Sequence, residues 1–441
     1  MSNLPQFLIL QIGDIHFPQM SSKLEADIKD LRFPSGTLNN TVPNPFLSAI
    51  RKIQEICDQK PDAIIFCGDL TTGGNLPRHN LEGYKECVNY LCKALKFGPG
   101  GKWSKDQVQV VPANHDVVRE FCHTDGNNWQ EKFAPLVQAW TAVGFPVLSA
   151  EAIRKVQLSA NGLSLQFYAA NSCVGCGVTR EYFAPQIRDE LENIIKKKKE
   201  EHSDDVSVIV NEVLDTPAFD SNAIEIMADE IKSLKADILP VVVAHHNLLP
   251  QATVRVALYT ELLNAGHVRT HLTNCERLVL YCHGHIHDNP IEIIQNVEDK
   301  LGRILCISAP CIIEGFNTIR IESSLANAPL GCVITCYVKT RACDFQPKAC
   351  RLIRIHTKEW RSHCDPKTHQ LINILNPKRI EAENFACLVK RAFKDLQMDA
   401  VNVRLRLLEA EWLGAVELSN HRDLQTGEAL EDFNRCYIRR I

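Results

Sequence analysis

No apolar run in this chain is long enough to cross a bilayer. Nor does the chain open with a basic segment and an apolar stretch of the kind that directs secretion. Internal repeats and low-complexity tracts are missing, which excludes solenoids and disordered tails as organising features. A net basic field is missing too: 49 Lys and Arg stand against 53 Asp and Glu, a formal charge of -4. Net charge therefore does not point to nucleic acid, although nucleic acid stays open as a partner class. These absences lead to the expectation of a cytoplasmic protein with no membrane segment. Paired cysteine motifs are almost absent, although the chain holds 18 cysteines. They are scattered and often sit in apolar runs, as Cys67, Cys282 and Cys306 do. That is the pattern of small buried thiols in a reducing compartment. The single CxxC, Cys173-Val174-Gly175-Cys176, reads as structural ahead of a redox or zinc role.

What is present is ordinary globular composition, 45% hydrophobic and 23% charged over 441 residues. That length suits one large domain with a smaller one, or two domains. The most informative stretch is Leu278 to Asp288, in which Leu-Val-Leu-Tyr-Cys runs into His283-Gly284-His285-Ile286-His287. A buried strand ends, a glycine turns the backbone, and two imidazoles two residues apart share a face. Four other short apolar runs end similarly. Residues 7–12 lead to Gly13-Asp14-Ile15-His16, and 62–67 lead to Gly68-Asp69. Residues 108–113 lead to Asn114-His115-Asp116, and 241–244 lead to His245-His246-Asn247. Near-continuous apolar runs are what strands buried on both faces look like. Sites in open α/β sheets form beyond the carboxyl ends of such strands. Five ends carrying Asp, Asn and His therefore describe one site, and mixed carboxylate and imidazole donors suit a metal. Any one of these residues alone reads more simply as a turn or cap residue.

Between those ends the chain shows helical spacing at Ala49, Ile50, Ile53 and Ile56 and again over 83–96, a βαβ rhythm that implies a parallel sheet. A loop with a short helix is expected over 19–45, and 71–74 reads as a flexible loop beside Asp69. Arg119 and His123 stand where a phosphate could be reached, solvent-facing helix positions being an equal reading. Residues 163–170 alternate as a strand of a second sheet would. A charged helix is expected over 188–205; its Lys196 to Glu201 run reads as a solvated end rather than a nucleic-acid contact. Ser221 is placed to cap a helix through Leu234, and a further helix is expected to end at 263–266. Residues 304–308, 316–321, 332–339 and 350–355 read as strands suited to a second sheet packed on the first. Past Pro377, Phe385, Leu388, Val389, Ala392, Phe393 and Leu396 mark an amphipathic helix. Val403, Leu405 and Leu407 alternate with arginines as a strand would.

The order Asp-x-His, Gly-Asp, Asn-His-Asp, His, Gly-His-x-His resembles the calcineurin-like metallophosphoesterase family. That family includes phosphoprotein phosphatases, purple acid phosphatases, cyclic-nucleotide phosphodiesterases and nuclease subunits of DNA-repair complexes. The resemblance spans residues 7 to about 320. One departure is Ala113, where the family usually has Gly; an Ala still permits the turn unless its φ is positive.

The resemblance implies a four-layer αββα sandwich of two mixed sheets with flanking helices. Residues 1–375 would form this domain, and 376–441 a small α+β extension that caps the site, binds a protein partner or simply packs. The resemblance also implies two divalent ions, Mn or Fe first and Zn or Ni next. One would be held by Asp14, His16, Asp69 and His287. The other would be held by Asp69, Asn114, His245 and His285, with His246 the competing choice for His245. His115 would protonate the leaving oxygen, with Asp116 orienting its ring, while a metal-bridging hydroxide attacks phosphorus. His283 receives no role. The expected activity is hydrolysis of a phosphate ester, a phosphodiester such as a nucleotide, cyclic nucleotide or nucleic acid first. A phosphomonoesterase on phosphoprotein or a small metabolite, and a non-catalytic scaffold, are the alternatives.

Overall fold

The computed structural model describes residues 4–17, 45–58, 60–71, 77–96, 103–118, 131–145, 152–176, 193, 197, 217–250, 262–296, 302–342, 344–348, 350–355, 364–375, 383–425, 427–430, 433 and 436–440. The loop expected over 19–45 (Pro45 aside), residues 72–74, Arg119, His123 and nearly all of the helix expected over 188–205 lie outside them.

The chain begins with strand β1 (Gln6–Ile12), helix α1 (Pro45–Asp58), β2 (Ala63–Phe66), α2 (Pro77–Leu95), β3 (Val108–Val110) and α3 (Ala134–Ala142). Strands β1, β2 and β3 pair in parallel. Their side chains alternate between two apolar compartments: Ile64 and Phe66 pack towards α1, α2 and α3, while Ala63 and Ile65 face the other way. Helix α1 supplies the crossover because Phe46, Ala49, Ile50, Ile53 and Ile56 fall on one buried stripe. The middle of the chain holds β4 (Ile153–Ala160), β5 (Leu163–Ala170), α4 (Ser221–Ser233), β6 (Ile238–Val243), α5 (Ala265–Thr273), β7 (Leu278–His283), β8 (Ile291–Gln295) and β9 (Arg303–Ser308). These strands make a six-stranded sheet in the order β4-β5-β6-β7-β9-β8.

Then come β10 (Gly315–Ser323), β11 (Pro329–Lys339), β12 (Phe345–Pro347) and β13 (Arg351–Arg354). The strand at 304–308 joins the second sheet as expected. The three after it do not. β10 pairs antiparallel with β1, so β10 to β13 complete the first sheet, which has seven strands. The reason is register: Ile319 and Ile321 extend the apolar row of Phe7 and Ile9 that faces the second sheet. Between the sheets lie Phe7, Ile9, Ile65, Phe167, Val241, Val243, Leu280 and Leu305. Helices α4 and α5 cover the outer face of the second sheet through Ile224, Met227, Ile231, Val268 and Leu272. The result is the expected αββα order of layers.

The remaining elements are α6 (Pro366–Ile374), β14 (Glu383–Asn384), α7 (Phe385–Leu396), α8 (Ala400–Trp412), β15 (Val416–Ser419) and β16 (Tyr437–Arg440). The strand expected around Val403 to Leu407 is part of helix α8. Arg404 and Arg406 mimic an alternating pattern but are buried, not solvent-facing. Arg404 donates to the carbonyls of Ala429 and Leu430, and Arg406 pairs with Asp365. Two smaller differences concern helix ends. Asp220, not Ser221, caps α4 by accepting from the Ala223 amide at 2.8 Å. Residues Ala265 and Gly266 begin α5 instead of ending a helix. Helix α6, just before residue 376, shares a buried cluster with α7 and α8 through Leu371 and Ile372.

Candidate metal centre

Every element that ends in a chemically marked residue brings its end to the same place, where the two sheets meet. β1, β2 and β3 deliver Asp14, His16, Asp69 and Asn114 from the first sheet. β6 and β7 deliver His245, His285 and His287 from the second. A buried polar pin holds the junction: Gln11 Nε2 donates to the carbonyls of Ile307 and His283 at 2.9 and 3.2 Å. Asn317 Nδ2 in turn donates to Gln11 Oε1 and to the Ser308 carbonyl. Nothing in their sequence context marked Gln11 or Asn317; a polar residue inside an apolar strand was the one available signal.

The turns are tight and costly. His16, Asp69, His285 and His287 have φ of 48°, 49°, 70° and 56°. Side chains rarely adopt that left-handed region, and residues held there cluster at functional sites. Two glycines make room. Gly68 has φ 94°, and a Cβ there would lie 2.6 Å from Ala113 Cβ. A Cβ on Gly284 would lie 2.7 Å from Asp14 Oδ2. Ala113 itself fits, because its φ of -128° is ordinary extended backbone.

The donor atoms converge in two groups that share Asp69. In the first, His16 Nε2 lies 3.2 Å from His287 Nε2 and 3.8 Å from Asp69 Oδ2. His287 Nε2 lies 3.5 Å from Asp14 Oδ1. In the second, His245 Nε2 lies 2.9 Å from Asn114 Oδ1, 3.2 Å from His285 Nδ1 and 3.5 Å from Asp69 Oδ2. Atoms bound at 2.0–2.2 Å to one ion stand roughly 3–3.6 Å apart. Most of these spacings fall in that range, with 2.9 Å for His245–Asn114 and 3.8 Å for His16–Asp69 just outside it, so each group is close to the size of a cation site. The His245 tautomer fits as well. Its Nδ1 donates to the Cys67 carbonyl at 2.7 Å, which leaves the Nε2 lone pair facing the centre. The His285 amide donates to both Asp14 oxygens and fixes that carboxylate. His246 Nδ1 lies 2.9 Å from Ser172 Oγ, yet its ring is 4.4 Å from that of His285 and it offers a ligand atom within 4.8 Å of those of His245 and His285. His283 is turned to the Gly284 carbonyl.

Electrostatics agree with a site built for added positive charge. Burial, then the charges of Asp14 and Asp116, push the Asp69 carboxyl well up. Burial acts to raise Asp14 too, but His287, His16 and His285 together bring it below the usual carboxylate range. Burial pushes His16 down to about 4 and His245 well below the ordinary imidazole value. Neutral imidazoles and a crowded carboxylate pair favour a divalent ion, which would displace a proton on binding.

His115 is exposed, at the rim, its ring centre 5.2 Å from that of His16. Its amide donates to Asp69 Oδ1. Asp116, expected to orient the His115 ring, also has partners of its own. Asp116 Oδ1 accepts from the Tyr84 hydroxyl at 2.6 Å, and Oδ2 from the Ala113 amide at 2.9 Å. Fully buried, this carboxylate closes the short 3-10 turn that carries Asn114 and His115. Tyr84, placed by α2, had no sequence signal beyond its spacing on the helix.

Fold and donor set together define a metal-dependent phosphoester hydrolase. The chain belongs to the calcineurin-like phosphoesterase family, whose model matches residues 7–289. No curated protein matches it. Among solved structures it is similar to a dimetal phosphatase from Danio rerio, at 11% identity and a TM-score of 0.46, covering 79% of this chain and 99% of that one. It is also similar to a purple acid phosphatase from yellow lupin, at 12% identity and a TM-score of 0.43, covering 80% and 54%. A 5'-nucleotidase precursor from Thermus thermophilus follows at 12% identity and a TM-score of 0.36, covering 77% and 55%. The chain thus spans about half of the lupin and Thermus proteins. The family implies a dinuclear divalent centre. Among the described residues no helix is long and apolar enough to cross a membrane.

Proposed function

We propose that the protein hydrolyses a phosphodiester, of the nucleotide or cyclic-nucleotide kind, at a pair of Mn or Fe ions. The observation that carries the two-ion part of this reading is the position of Asp69; the preference for a diester comes from the family resemblance. Asp69 Oδ2 lies between His16 Nε2 and His245 Nε2, at 3.8 and 3.5 Å, so one carboxylate serves both donor groups. Asp14, His16 and His287 would complete one set, and Asn114, His245 and His285 the other. When bound, such a pair supplies an acidified water and positive charge for the oxygens of an in-line displacement.

The chain's own residues supply the rest. Asp14 and Asp69 carry the negative charge that holds cations, and the buried imidazoles add neutral donors without adding charge. Positive-φ backbone at four donors fixes their direction before substrate arrives, so little reorganisation is needed during reaction. His115, exposed beside His16, is placed to hand a proton to the departing oxygen. An alkoxide leaving group needs that proton, whereas an aryl oxide needs it less. Asp116 acts through the turn: it positions His115 and Asn114 and does not touch substrate.

The test is a matched panel of aryl and alkyl phosphodiesters and monoesters with Mn-reconstituted protein. We expect diesters to turn over fastest and Asp69→Ala to abolish turnover. Activity confined to monoesters moves the assignment to a phosphomonoesterase. A fully metallated protein inert on both classes sinks the proposal.

A further inference from the structure

Beside the phosphoesterase centre, on the far side of His246, lies a second cluster of metal-binding side chains. Cys173, Cys176 and His246 each offer one ligand atom, and these three atoms lie within 4.8 Å of one another. All three residues are buried. We propose that they hold a structural zinc-class ion, distinct from the phosphoesterase pair.

The geometry carries this beyond a bare CxxC. Cys173 Sγ lies 3.7 Å from His246 Nδ1. At zinc–sulfur and zinc–nitrogen lengths of about 2.3 and 2.0 Å, a tetrahedral site puts sulfur and nitrogen about 3.5 Å apart. The imidazole tautomer is also right. Ser172 Oγ accepts from the amides of His245 and His246, so its own proton is directed at His246 Nδ1, 2.9 Å away. Nδ1 is therefore an unprotonated acceptor, its lone pair taken by the Ser172 hydroxyl in the metal-free chain. Zinc at Nδ1 would take over that lone pair, and Ser172 Oγ or a water would supply the fourth ligand.

The loop is built like a preformed knuckle. Asn171 Oδ1 accepts from the Cys173 amide at 2.8 Å, and the Cys176 amide donates to the Cys173 carbonyl at 3.1 Å. The Gly175 amide donates to Ala218. Lys132, itself buried, donates from Nζ to the carbonyls of Val174 and Cys176 at 2.6 and 2.7 Å. Val117 and Phe133 close the cluster from the apolar side. On binding, two thiol protons leave to solvent and two sulfur–zinc bonds form, with no change of oxidation state. His245 and His246 are adjacent in the chain, so the ion would brace the strand end that delivers His245. The competing occupants are an internal Cys173–Cys176 disulfide and plain thiol packing.

Three measurements on the full chain decide between these. The first is metal content after purification under reducing conditions and reconstitution with Mn. We expect one zinc per chain in addition to Mn, and loss of that zinc, with Mn retained, in Cys176→Ser. The second is cobalt loading of the wild-type chain. The phosphoesterase centre has no sulfur ligand, so among the described residues a thiolate-to-cobalt charge-transfer band in the near ultraviolet reports this cluster. We expect the band, and its absence in Cys173→Ser. If either variant fails to fold, the wild-type band still decides. The third is intact mass without reductant. No zinc and no cobalt band in reduced protein, or a Cys173–Cys176 disulfide whose reduction creates no zinc site, would overturn the proposal.

Discussion

Two buried charged clusters in this molecule are built in opposite ways. In the clamp that fixes the C-terminal elements, every strong charge meets its opposite within the chain. Glu322 on β10 accepts two bonds from Arg422 at 3.1 Å and one from Trp412 Nε1 at 2.6 Å. Arg422 also donates to Glu411, and Arg320 to Glu322. Accordingly Glu322, which burial alone would raise, ends below its ordinary value because of Arg422. At the metal centre Asp14 and Asp69 are also fully buried. Imidazoles pushed towards neutrality surround them there, in place of the guanidinium that faces Glu322. Asp69 consequently moves the other way, well above its ordinary value. One cluster is complete as folded. The other is completed by a ligand, and the strained backbone at its donors is the mark of that difference.

The sharpest way to break the comparison is Asp69→Asn. It keeps the shape and removes the shared negative charge. Turnover should fall by roughly 10³-fold or more, the scale of losing preorganised charge stabilisation. Thermal stability of the metal-free chain should hold or rise, since a buried carboxyl crowded by Asp14 is gone. Added Mn should raise the melting temperature of wild type and do so much less in the variant. A melting shift by Mn equal in both would place the ions elsewhere. Next in size is His115→Gln. We expect a loss of about 10²–10⁴ on alkyl esters and a much smaller one on aryl esters. Equal losses on both would remove His115 from proton transfer.

This contrast also explains what could be read from the sequence and what could not. The convergence of these side chains was legible because each sits two to four residues past a buried strand, and strand ends are set by local pattern. The layers were legible for the same reason. Membership of β10, β11 and β13 in the first sheet was not, since pairing with β1 depends on register between segments about 300 residues apart. Helix α8 resembles a strand in sequence because buried arginines look polar until their carbonyl and carboxylate partners are seen. The Tyr84 hydroxyl on Asp116 was not legible, because it arrives from a distant helix. Pattern shows where a side chain starts, but long-range packing decides what it touches.

Third in size is the clamp itself. Arg422→Ala leaves Glu322 buried without its bidentate partner, which should cost about 3–5 kcal/mol. Chemical denaturation should show that loss with Mn uptake unchanged, since the clamp and the centre share no residue. The sign of the pH effect follows from Glu322. Its folded value lies below the ordinary 4.5. Its contribution is therefore present above that value and is lost as pH falls through it towards the folded value. Wild type should lose stability through that acidic window, and Arg422→Ala should lose less.

The smallest effect expected is also the most discriminating, because Tyr84 supports the metal centre in the way that Arg422 supports the clamp. Tyr84→Phe removes the 2.6 Å hydrogen bond to Asp116 and leaves the ring in place. A buried acceptor losing one donor costs about 1–3 kcal/mol. Burial has pushed Asp116 up to about 7, against the pull of Tyr84 and the backbone amides. Between its ordinary 3.8 and about 7 the folded chain holds a proton that the unfolded chain does not, so stability at this residue declines as pH rises through that window. Removing Tyr84 should raise Asp116 further and extend the decline upward. In metal-free protein, the gap in melting temperature between wild type and Tyr84→Phe should therefore widen above the window and narrow well below it. A gap that is the same on both sides would mean that Asp116 is protonated throughout, and that the turn carrying Asn114 and His115 is held by backbone geometry and not by that charge.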